Sequence, residues 1–223
     1  MFRIFLLSPA NSAGLRAQML LNERAQFPLA LRLRNQGAVP LSEAFTFLSG
    51  LYFRGKIAYA RAFAKPPENL SGAFVITPNR GLVAAETLVS LEDLRAFARV
   101  PIDHTDARYR RPLLRETKKL CARAGEDCEA VLLGSIATAK YVEPLLGCFG
   151  ERLKFPAEFV GRGDMSRGGL MLRCAADRQE LEYVSVAGAI RRGARPPKLA
   201  RRSDTDERSR VSLRELRVSG EPV

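Results

Sequence analysis

The chain has 223 residues, 46% hydrophobic and 27% charged, which suffices for one buried core with an appendage. Its formal net charge of +12 points to polyanions or anionic metabolites as partners. No apolar run approaches the ~20 residues needed to cross a bilayer, which argues against a membrane partner and makes a cytoplasmic location the expectation.

The opening "FRIFLLS" is too short for a signal-peptide core and reads as a first strand, Arg3–Ser8, leading into the polar turn "PANSAG". A helix is expected from near Ser12 towards Gln26, broken at Pro28 and resumed to Asn35, with Gly37 as its stop. From Leu41 the apolar positions Leu41, Phe45, Leu48, Tyr52, Gly55, Tyr59 and Phe63 recur at spacings of three and four. They mark one buried helix face, and Gly55 within it implies a close backbone approach. "GAFVITP" (Gly72–Pro78) is a second strand, and Ser90 caps a short helix over "LEDLRAFA". Asp106 to Arg123 is helical with Gly125 as its stop, and "EAVLLGS" (Glu129–Ser135) is the clearest buried strand. A helix after Thr138 accommodates Pro144, "RLKFP" (Arg152–Pro156) is a fourth strand, and "GLMLRC" and "ELEYVSV" read as a β-hairpin about "AADRQ". Strands alternating with helices imply βαβ units. The expected fold is α/β and three-layered: a mainly parallel four-stranded sheet, helices on both faces and a C-terminal edge hairpin. Residues 1–190 would form this single domain. Residues 191–223, with ten Lys/Arg against five Asp/Glu, read as a basic, flexible tail.

The lone histidine, His104, rules out a two-histidine zinc site and is expected at the surface. Cys121, Cys128, Cys148 and Cys174 lack C-x-x-C spacing and read as buried thiols, so no metal is assigned. No nucleotide fingerprint of the G-x-x-x-x-G-K-[ST] or G-x-G-x-x-G type is present, and no cofactor is assigned.

Parallel strands bind ligands beyond their carboxyl ends. Four segments would meet there: "SPANSAG", "TPNRGL", "GSIATAKY" and "PAEFVGRGDMSRGG". The first offers Asn11 and Ser12 at a helix start that favours anions; the second offers Arg80. The third offers Ser135, Lys140 for a phosphate or carboxylate, and Tyr141 for stacking or hydrogen bonding. In the fourth, Arg162 and Arg167 suit bidentate contact with phosphate, while Gly161, Gly163, Gly168 and Gly169 let backbone N–H groups face an anion. Asp164 and Glu158 are the candidate acid–base groups. Tyr52, Lys56 and Tyr59 form a basic and aromatic helix edge, which suits a nucleotide or simply places two tyrosines in the core.

The segments "SGLYFRGKIAYA", "VITPNRGL", "VLLGSIATAKYVEPLL" and "FPAEFVGRGDMSRGGLMLRC" resemble those of an uncharacterised family of bacterial proteins, a likeness that brings no activity. More distantly, the order of these segments resembles small α/β domains found near 7-deazaguanine nucleic-acid modification enzymes. Those are similar in layout to uracil-DNA glycosylases, although this chain has no G-Q-D-P-Y and no H-P-S-P motif. The sequence therefore leads to a protein that binds a nucleotide or nucleic acid at its strand-end rim. Arg162, Arg167 and Lys140 would hold phosphate; Asn11 and Asp164 would lie near a base or glycosidic bond on which it acts. The alternative is a non-catalytic adaptor that binds RNA, DNA or a protein through the basic tail and edge hairpin.

Overall fold

The first strand, β1 (Phe2–Leu7), is the axis of the molecule. Its Ile4, Phe5, Leu6 and Leu7 are wholly buried, as expected of a parallel strand covered on both faces. The computed structural model describes residues 1–137 and 139–190, together with 193, 194, 196, 197 and 199. Apart from those last five positions, the tail from Arg191 lies outside the described residues.

After β1 the chain forms α1 (Leu15–Leu21) and α2 (Pro28–Gln36), the latter ended by Gly37 in the left-handed region. The first helix starts later than the sequence implies, because Gly14 and not Ser12 stands at its N-cap. The Asn11 side chain instead tightens the preceding turn by accepting from Ala13 N at 3.0 Å. A short strand, β2 (Val39–Pro40), leads into α3 (Leu41–Ser49) and α4 (Leu51–Phe63). The apolar stripe over residues 41–63 is buried as expected, but Gly50, at φ 61°, divides it between two helices. Strand β3 (Ala73–Thr77) turns through Pro78–Arg80 into the antiparallel β4 (Gly81–Ala84), an edge strand that the sequence reading did not contain. Next come β5 (Leu88–Val89), which pairs with β2, then α5 (Leu91–Ala98) and α6 (Ala107–Ala124). Ser90 and Asp93 cap α5 reciprocally, and Asp106 caps α6.

The wholly buried β6 (Cys128–Leu133) is followed by α7 (Ala139–Phe149), β7 (Leu153–Pro156), α8 (Asp164–Asp177) and β8 (Tyr183–Ser185). Among the described residues the main sheet has the order β4-β3-β1-β6-β7-β8. β3, β1, β6 and β7 run parallel, and β4 and β8 close the two edges antiparallel. Helix α4 packs on β1 and β3 and, above all, against α8; α6 packs on β3 and β4 and against α7. From β1 the chain crosses to β3 and from β6 it crosses to β7, in opposite directions along the sheet, so crossovers of the usual right hand set the two helix pairs on opposite faces.

One expectation is corrected. "GLMLRC" is not the first strand of a hairpin; it is the body of α8, and the edge strand β8 pairs with β7 instead. The buried positions of α8, Gly168, Met171 and Cys174, are spaced by three, a helical period that a short apolar run conceals. Gly168 faces Gly55 across the α4–α8 crossing: a Cβ on Gly55 would lie 2.6 Å from Gly168 O and 2.9 Å from its Cα. The close approach expected at Gly55 is real, and Gly168 serves helix packing rather than an anion.

Candidate functional site

The connection leaving β1 goes to the helices on one face, and the connection leaving β6 goes to α7 on the other. These neighbouring strands therefore form a switch point, where the loops part and leave a crevice beyond the carboxyl ends. A cleft of about 660 Å3 opens there. Ser8, Pro9, Ala10 and Asn11 line it from the end of β1, and Ser135, Lys140 and Tyr141 from the end of β6. Ser49 and Tyr52 from the α3–α4 junction, Pro101 and Ile102 ahead of α6, and Asp164 at the start of α8 complete the wall. The lining combines apolar residues (Pro9, Ala10, Tyr52, Pro101, Ile102) with polar and charged ones. A further hollow of about 420 Å3 between α3 and α4 includes Glu43, Arg54 and Arg61, and it is Pro40 at the end of β2, in the small sheet, that borders it rather than a parallel strand.

At the floor, the register of Leu7 with Leu133 sets Ser8 beside Gly134. A Cβ on Gly134 would lie 2.7 Å from Ser8 Cβ and 3.1 Å from the Tyr141 hydroxyl, so glycine is what lets Ser8 and Tyr141 meet. Burial raises the pKa of the Tyr141 hydroxyl, while hydrogen bonding to Ser8 and to the Ser135 backbone works against that rise. From the other side comes Lys56, wholly buried, whose Nζ donates to Ser8 Oγ at 2.7 Å and to Ser8 O at 2.9 Å. The ammonium lies 3.9 Å from the centroid of the Tyr52 ring. Burial brings the Lys56 pKa down to about 7, the Asp164 carboxylate opposing and the Arg167 guanidinium adding to the fall. Tyr52 is itself buried, its hydroxyl without a hydrogen bond of good geometry among the described residues, and burial raises its pKa well above the ordinary value.

Of the residues the sequence singled out, Asn11, Ser135, Lys140, Tyr141 and Asp164 line the cleft together. Lys140 and Asp164 are exposed at its mouth. The others stand elsewhere. Arg167 is largely buried and fastens the turn before its own helix, with Nε and Nη2 donating to Phe159 O at 3.2 and 2.9 Å and Nη1 3.5 Å from Asp164. Arg162 donates to Ser166 Oγ at 3.3 Å and to Pro197 O at 3.4 Å. Arg80 pairs with Asp93, the capping carboxylate of α5. Ser12 is buried beneath α1 among Ala17, Leu20 and Leu48. Glu158 is exposed on the turn after β7 and does not line the cleft. His104 lies exposed ahead of α6.

The residues that sequence reasoning passed over are Ser8 and, in its full significance, Lys56. A signal for Lys56 was present. It occupies the i+4 position from Tyr52, inside an apolar stripe, where a lysine must be either buried or an interruption. No protein-family model, curated protein or solved structure matches the chain, so the functional reading rests on this geometry.

Proposed function

We propose that the cleft between the ends of β1 and β6 binds a nucleotide, free or as part of a nucleic acid. The observation that carries the reading is a crevice at the switch point whose lining joins apolar residues (Pro9, Ala10, Tyr52, Ile102) to polar ones and to the exposed cation Lys140. That combination suits a ligand that carries both a flat, weakly polar ring and a phosphate. Lys140 is the phosphate partner. Asn11, whose Oδ1 is engaged by Ala13 N, keeps its Nδ2 donors for a ring edge. Asp164 stands at the wall as the group placed to accept a proton or a ribose hydroxyl, and it is the acid–base candidate if a base or glycosidic bond reacts. Arg167 and Arg80 are committed to Phe159 O and Asp93. Arg162, which reaches Ser166 Oγ and Pro197 O through Nη1 and whose Nε has no hydrogen-bond partner among the described residues, does not line the cleft, so phosphate binding falls to Lys140 and the strand-end loops.

Thermal melting with a panel of nucleoside mono- and triphosphates tests the proposal, because a ligand of the native state raises stability by RT ln(1 + [L]/Kd). A rise with at least one nucleotide, about tenfold weaker in affinity for Lys140→Ala, is expected. No rise with any nucleotide, together with no retention of single-stranded DNA or RNA at moderate salt, overturns it. Retention that disappears when Arg191–Val223 is removed would support the adaptor reading instead.

A further inference from the structure

We propose that Ser8 is a nucleophile and Lys56 its general base, a pair at the floor of the cleft that takes the acyl group of an ester, thioester or amide. The geometry is that of an activated hydroxyl: Lys56 Nζ is 2.7 Å from Ser8 Oγ, and its second contact, 2.9 Å to Ser8 O, fixes the amine in place. Packing alone gives no reason for an amine at this position, since an apolar side chain of the same length would fill the volume without desolvating a charge. Nor is Lys56 held as half of an ion pair. Among the described residues no carboxylate lies within salt-bridge distance of it, and Asp164 is already beside Arg167 at 3.5 Å. The groups that face it are Asp164 and Arg167 from α8, the Tyr52 and Phe53 rings from its own helix, and the hydroxyl and carbonyl of Ser8, the residue after β1; Tyr141 from α7 reaches it through Ser8. Burial favours the neutral amine, whose lone pair can take the Ser8 proton near neutral pH.

The steps balance without a co-reactant other than water. Ser8 Oγ bonds to the carbonyl carbon as its proton passes to Lys56, with Tyr141 orienting the hydroxyl. The tetrahedral adduct then collapses, the bond to the leaving group breaks, and the leaving group departs with the proton from Lys56. Water adds to the acyl-serine, Lys56 again takes the proton, and release of the carboxylic acid restores Ser8. This assignment shares its cleft with the nucleotide reading but does not need the substrate to be a nucleotide.

Incubation of the full chain with diisopropyl fluorophosphate, followed by intact-mass measurement and peptide mapping, is the test. A single adduct on Ser8 is expected, absent in Ser8→Ala, with a labelling rate that climbs as pH is raised through about 7. Lys56→Met should slow labelling about 100-fold or more and flatten the pH profile. Should Lys56→Met not fold, the wild-type pH profile and the position of the adduct decide by themselves. No adduct, an adduct elsewhere, or a Ser8 adduct formed at a rate indifferent to pH through this range overturns the assignment. The probe carries no nucleotide, so labelling without any nucleotide-induced melting shift removes the nucleotide reading alone, and the converse removes this one alone.

Discussion

Replacing Lys56 by methionine separates the cost of a buried amine from the value of its hydrogen bonds. An ordinary lysine titrates at 10.5, and in the folded protein Lys56 is brought down to about 7. Between these values the unfolded chain binds the proton and the folded one does not, so stability rises with pH across the window. The stabilisation is complete above 10.5 and lost as pH falls through about 7, where the folded state must also carry the charge. The difference corresponds to about 5 kcal/mol at the acid end, about 4 at pH 7 and about 2 at pH 9.

Methionine fills nearly the same volume and carries no charge, so it escapes that cost at every pH. It also leaves Ser8 O and Ser8 Oγ without their donor, a loss of about 2 kcal/mol. The balance therefore changes sign. Lys56→Met should be more stable than wild type by about 3 kcal/mol at pH 6, equal to it near pH 9, and less stable by about 1 kcal/mol at pH 10. Urea unfolding of both proteins at several pH values measures this difference. The tyrosines that burial perturbs, Tyr59 and Tyr109 among them, are common to both proteins and cancel from it. A difference that stays constant from pH 6 to pH 10 would refute the reasoning, because Lys56 would then carry the same charge in the folded and unfolded chain throughout.

Gly55→Ala places a methyl 2.6 Å from Gly168 O, and although alanine favours a helix by about 1 kcal/mol, the backbone contact cannot yield; a net loss of about 1–3 kcal/mol is expected in thermal or urea melts. Gly134→Ala should separate Ser8 from Tyr141 and abolish nucleotide binding measured by calorimetry, with the protein still melting cooperatively. Arg80→Ala, because Arg80 is spent on Asp93, should leave nucleotide affinity within about twofold of wild type, whereas Lys140→Ala lowers it about tenfold. Glu129→Ala removes the buried one of two carboxylates that pair with the half-buried Arg3 and should cost about 2–3 kcal/mol in urea unfolding; the pair lies towards the amino end of the sheet, so ligand binding is unchanged.

Much of the fold was legible because its signals are local. Ser90, Asp106, Gly37 and Gly125 mark helix ends through caps and left-handed turns, which depend only on neighbouring residues. The buried strands β1, β3 and β6 stand out as short apolar runs between turns. What could not be read depends on partners distant in the chain. Leu170, Met171 and Leu172 suit a strand or a helix equally until α4 lies beside them, and Gly168 looks like loop until Gly55 faces it. The same limit applies to the arginines. Arg80, Arg162 and Arg167 have the chemistry of phosphate ligands, but nothing local reveals that Asp93, Pro197 O and Phe159 O already occupy them. Asn11, Ser135, Lys140, Tyr141 and Asp164 were found together because strand-end position, a topological property, brings them to one rim.

The glycine contact and the buried amine have one cause. Helix α4 approaches α8 as closely as it does because Gly55 and Gly168 lack side chains, and Lys56 is the residue next to Gly55. The closeness shuts water away from the Lys56 amine and at the same time sets Arg167 and Asp164, one turn apart on α8, within electrostatic reach of it. A wider crossing would hydrate the ammonium and return its pKa towards 10.5. The chemistry available at Ser8 is therefore set by how two helices pack behind the sheet's carboxyl edge, and substitutions at Gly55 or Gly168, neither of which lines the cleft, act on the site through that spacing.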